Sequence, residues 1–174
     1  MTTPREHEQG LVKFILPARQ DRYLDLLAKP KRRIHIRNSL AHFKHLDPAC
    51  VVLIGPREHN EAGILRLLKS KGAPGICYAL SEADEMDGRE VPLSEALGFI
   101  LGRGIGTFLS CIPGRLAYFE DEDGRYVLER NANLAIASLG EFASGYTTDP
   151  SAAFSGPPCV KNPFQPFSCP LPQN

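Results

Sequence analysis

The sequence has five cysteines but no C-x-x-C pair, carries no net charge, and contains no apolar run approaching the roughly 18 residues that a membrane helix needs. Each absence excludes something. Cys50, Cys77, Cys111, Cys159 and Cys169 are odd in number and widely spaced, so neither a disulfide framework nor a four-cysteine zinc site is encoded. The first ten residues are charged and hold no apolar stretch of the kind that forms a secretory signal. No internal repeat is visible, which argues against a solenoid or propeller. These features predict a cytoplasmic protein with reduced thiols, no cofactor and no bound metal.

What is present is ordinary in amount and uneven in placement. The 174 residues are 43% hydrophobic and 23% charged, the profile of one soluble domain. The neutrality hides a dipole: residues 1–46 hold 10 Lys/Arg against 4 Asp/Glu, and residues 47–174 hold 10 against 16. Such asymmetry serves either a polar partner or the folding of one part of the chain onto the other.

Prolines divide the first 46 residues into helices. Leu11–Leu16 is apolar-rich, and Pro17 suits the first turn of a second helix that buries Tyr23, Leu24, Leu26 and Leu27 and stops at Lys29-Pro30. A third helix is expected from Lys31 to Leu46, because Ile36, Leu40, Phe43 and Leu46 form a stripe at helical period. Asp47-Pro48 ends it. Residues 50–54 then read as a strand, Asn60 as the cap of a helix closed by Lys71-Gly72, and residues 75–80 as a second strand parallel to the first if both share a sheet. Asp87-Gly88 is a turn signal before a short return strand at residues 89–91, and Ser94 is expected to cap a helix reaching Leu101. Thr107–Ile112, Arg115–Glu120 and Arg125–Glu129 form a meander, its first turn set by Pro113-Gly114. Alternation in the middle strand places Leu116 and Tyr118 on one face and Ala117 and Phe119 on the other, so both faces should be covered.

A last helix is expected over residues 133–143. Residues 147–174 hold 7 of the 15 prolines and read as an extended or disordered tail. The predicted fold is thus α+β: an N-terminal helical layer packed on a small mixed sheet that ends in a three-stranded antiparallel meander. The organisation is a single globular domain over 1–146 (1–46 helical, 47–130 α/β core, 131–146 helix) followed by the tail.

No diagnostic motif is present, so function rests on two constellations. The first is the basic helix, with Arg33, Arg37 and Lys44 along one flank, suited to the phosphates of nucleic acid or to an acidic protein surface. The competing account is a solvated helix face neutralised by the chain's own acidic loops at residues 82–90 and 120–123. The second follows from topology. If the central strands run parallel, their carboxyl ends bring Arg57, His59, Glu82, Ser110 and Cys111 to one rim. There Cys111 as nucleophile, His59 as base and Glu82 as orienter have the residue types of a small cysteine-dependent hydrolase or transferase, with Arg57 or Arg115 as anion-binding partners. Its competitor is a cysteine that is simply a small buried hydrophobe. His35, His42 and His45 do not make a metal site, because two helical turns separate the first two by roughly 10 Å. The glycines of residues 102–106 lead from helix to strand, the reverse of a phosphate loop, and read as a connector. The leading expectation is a binding or regulatory protein acting through the basic helical surface, and the alternative is the cysteine enzyme.

Overall fold

Thr3 opens the first helix with a reciprocal cap. Its hydroxyl accepts from the Glu6 amide and its own amide donates to the Glu6 carboxylate, while Pro4 presets the first turn of α1 (Pro4–Val12). The computed structural model describes residues 3–52 and 54–130; the helix expected at residues 133–143 and the proline-rich tail lie outside them. After a 3-10 turn at Pro17–Arg19 come α2 (Gln20–Leu27) and α3 (Pro30–Arg37), split at Pro30 as expected.

α3 is shorter than its apolar stripe. Asn38 is its cap, and the Ser39 hydroxyl donates to the Ile36 carbonyl at 2.8 Å, taking an acceptor that a continuing helix would use. Leu40–His42 makes one 3-10 turn, Phe43 is extended, and Leu46 bridges to Ile15. Leu40 and Phe43 are nevertheless buried beside Ile36. The stripe therefore reports which side faces the core, and the expected helix over residues 38–46 is replaced by a turn and an extended segment.

Six strands follow: β1 (Val51–Val52), β2 (Ile76–Ser81), β3 (Arg89–Pro92), β4 (Thr107–Ile112), β5 (Leu116–Glu120) and β6 (Arg125–Glu129), in the order β1-β6-β5-β4-β2-β3. Every pairing is antiparallel, so the sheet is not mixed. β1 and β2 do run the same way, but three strands lie between them, and the expected adjacent parallel pair does not form. The reason is in the partners. β1 takes the open edge of β6, and β2 is taken on both sides by β3 and β4.

Helices α4 (Glu61–Ser70) and α5 (Leu93–Ile100) complete the described elements. Asn60 caps α4 through the Gly63 amide at 2.9 Å, as its sequence position implies. Gly72 then supplies the positive φ of +89° that closes α4. Ser94 does not cap α5; that helix starts two residues earlier than such a cap implies, after Pro92, and the Leu93 amide donates instead to the Gly75 carbonyl.

The sheet is covered on both faces. Ala117 and Phe119 pack with Phe14, Leu40, Phe43 and Phe108 under the N-terminal helices. Leu116 and Tyr118 pack with Leu109, Val127, Ile64 and Leu97 under α4 and α5. The α+β class, the helical N-terminal layer and the closing meander hold, as does the alternation that set the two faces of β5.

Candidate functional site

The charge of the basic helix is largely consumed inside the fold. Arg33 Nε donates to Glu8 Oε1 at 2.6 Å, and its terminal nitrogens donate to both oxygens of Asp87, which leaves the β2–β3 turn. Burial opposes the charge on Arg33, but the hydrogen bonds to Asp87 and Glu8 outweigh it and hold the guanidinium pKa above its ordinary value. Tyr78 donates its hydroxyl to the same Glu8 oxygen at 2.6 Å. Arg37 pairs with Asp84 and approaches Asp87, and Glu82 accepts from the amides of Ala41 and Gly106. The acidic loop thus meets the basic helix, which explains why two of the three basic-flank residues, Arg33 and Arg37, are only partly exposed.

Lys44, the third, has a different setting. It stands exposed at the rim of a cleft of about 550 Å³ between α2, α3 and the extended segment after α3. Arg19, Arg22 and His35 are exposed on the same rim. Among the described residues, Arg19, Arg22 and Lys44 make no ion pair. The floor is largely apolar. Tyr23, Ile36 and Phe43 are buried, Tyr23 hydroxyl and His45 Nδ1 are 2.8 Å apart, and Phe43 makes edge-on contacts with Tyr23, Phe108 and Phe119. Burial also raises the Tyr23 pKa, so the phenol stays neutral.

The residues of the cysteine constellation are not brought together. Because β4 runs opposite to β2, Ser81 lies across from Thr107, and Glu82 follows at that end of the sheet. Cys111 lies four residues further along β4, about 13 Å away at the rise of a strand. His59 belongs to the Glu82 end, since Arg125 donates to its carbonyl at 3.1 Å beside the β5–β6 turn. Cys111 itself is buried under α4 and α5, and burial pushes its thiol pKa well above the ordinary value, away from a nucleophilic thiolate. Ser110, on the opposite face, is buried with its hydroxyl 2.8 Å from His7 Nδ1. Arg57 and Arg115 are exposed at opposite ends of the sheet, the first in the turn before α4 and the second between β4 and β5.

A second hollow of about 530 Å³ lies beside His59, Gly102, Glu120 and Asp121. Its two buried carboxylates already have structural work. Glu120 accepts from the Tyr118 hydroxyl and the Gly102 amide, each at 2.6 Å, and Asp121 Oδ1 accepts from the amides of Asp123 and Gly124 to shape the turn. Among the described residues no cluster of three or more His, Cys, Asp or Glu side chains is placed to hold a metal ion.

No protein-family model, curated protein or solved structure matches the chain. Arg19, Arg22 and His35 escaped sequence reasoning because their grouping with Lys44 depends on the chain leaving α3 at Arg37. The i, i+3 spacing of Arg19 and Arg22 beside Tyr23 was the one local signal available.

Proposed function

We propose that the protein is a binding or regulatory protein that contacts an anionic partner, nucleic acid or acidic protein, through its N-terminal helical layer. The observation that carries this reading is the rim of Arg19, Arg22, His35 and Lys44 around the cleft, where cations stand exposed while Arg33 and Arg37 are neutralised by the chain's own carboxylates. Cations that make no ion pair among the described residues, grouped above a concave floor, are available to an incoming anion. The contact surface so defined retains Lys44 and replaces the two arginines by Arg19 and Arg22.

The test is titration of the full chain with a labelled single-stranded oligonucleotide and with polyglutamate. Each removed rim charge, in Arg22→Ala or Lys44→Ala, is expected to weaken binding of the better probe roughly two- to fivefold. Raising salt from about 50 to about 200 mM should weaken it further. Binding that ignores both salt and these substitutions sinks the reading.

A further inference from the structure

The cleft says more about its occupant than its charge does. We infer that it takes an acidic protein segment which seats one apolar side chain on the floor and sets carboxylates against the rim. This rests on the basic-cleft reading above and narrows it.

Three features favour a peptide over a nucleic acid. The aromatic rings of the floor, Tyr23 and Phe43, offer little surface to a base. Phe43 is held edge-on between Tyr23, Phe108 and Phe119, and both Tyr23 and Phe43 are buried. Single-stranded nucleic acids are gripped by stacking on exposed rings, and the exposed rings at this cleft are only the small imidazoles of His35 and His42, the second of them paired with Glu122. The polar atoms at the floor are already matched, Tyr23 with His45 and Ser39 with the Ile36 carbonyl, so little remains to read a base edge. What is left is hydrophobic surface, chiefly that of the half-buried Leu26, which suits an aliphatic or aromatic side chain.

The cations extend only a short way beyond the cleft. Continuing the rim along α3 leads to the exposed Lys31, one turn before His35, and then to Arg32, Arg33 and Arg37, which are taken by Asp25, by Glu8 and Asp87, and by Asp84. Asp25 and Asp84 are themselves exposed and would repel a long polyanion. A short patch of cations around an apolar hollow of about 550 Å³ is instead complementary to a short acidic segment with one apolar anchor.

Selection of displayed random peptides against the immobilised full chain tests this. A parallel selection uses the Arg19→Ala/Arg22→Ala/Lys44→Ala variant, with thermal melting to establish that it is folded. Peptides enriched by the unaltered chain should combine Asp or Glu with a large apolar residue. A representative peptide should bind the triple variant roughly tenfold more weakly, and replacing its apolar residue by alanine should cost a similar factor. A Lys29→Ala/Arg32→Ala variant, altered outside the cleft, should stay within about twofold of the unaltered chain. Enrichment of peptides without acidic residues, or equal binding to the triple variant, overturns the inference. Absence of peptide binding together with oligonucleotide binding that the triple variant weakens overturns the occupant and leaves the basic cleft standing. Binding of neither probe overturns both.

Discussion

His7 is a single buried group through which acid should weaken the fold. Its ring stacks on Tyr78 with centroids 5.4 Å apart, and its Nδ1 is 2.8 Å from the buried Ser110 hydroxyl. Burial lowers its pKa from the ordinary value near 6.5, against a weaker opposing effect of Glu90 and Glu6. A histidine whose folded pKa is depressed binds fewer protons than the unfolded chain once pH falls below about 6.5. Its contribution to stability is therefore complete above that pH and is lost on acidification towards the folded pKa. Denaturant melts between about pH 5 and 7 should show stability rising with pH, and His7→Phe should flatten that part of the slope even though it leaves Ser110 without its partner. A slope identical in the variant would remove His7 as its source. At Cys111 the expectation is inertness. The thiol is buried and its pKa raised, so iodoacetamide should label it only in denaturant, and rapid labelling of the folded chain at neutral pH would contradict the burial described.

At the scale of elements, the legible parts were those specified locally. The Asn60 cap, the Gly72 stop, the turn at Pro113-Gly114 and the meander all follow from side chains that act on their own backbone. Gly114 has φ of +66°, the conformation that the proline–glycine pair demands. The end of α3 was not legible because it depends on a distant strand. Gly106, at the entrance of β4, lies so close to the turn after α3 that an added Cβ would meet the Ala41 nitrogen and Leu40 carbonyl carbon at 2.3 Å. The glycines of residues 102–106 are thus more than a connector, since the last one is a contact surface for backbone. Gly106→Ala should destabilise the fold by about 2 kcal/mol or more, as neither backbone can yield cheaply. A change below about 0.5 kcal/mol in urea melts would show that the approach is looser than this.

At the scale of the whole molecule, the charge dipole of the sequence is partly folded back on itself. Arg33 joins α3 to Glu8 of α1 and to Asp87 of the β2–β3 turn, with little of any of the three side chains exposed. Removing the cation strands two poorly hydrated carboxylates, so Arg33→Ala should cost about 3 kcal/mol. Asp87→Asn combined with it should cost less than the sum of the two single changes, and strict additivity would mean that the pair is not coupled. Composition and short-range pattern were enough to specify the α+β class, the two-faced β5 strand and the uneven charge, because burial alternation and capping act between near neighbours in the chain. Strand order, the separation of Cys111 from Glu82 and His59, and the division of the cations into neutralised and exposed sets were decided only in three dimensions. Pairing choice among six strands and ion pairing across 25 or 54 residues depend on which surfaces meet, and no local pattern encodes that meeting.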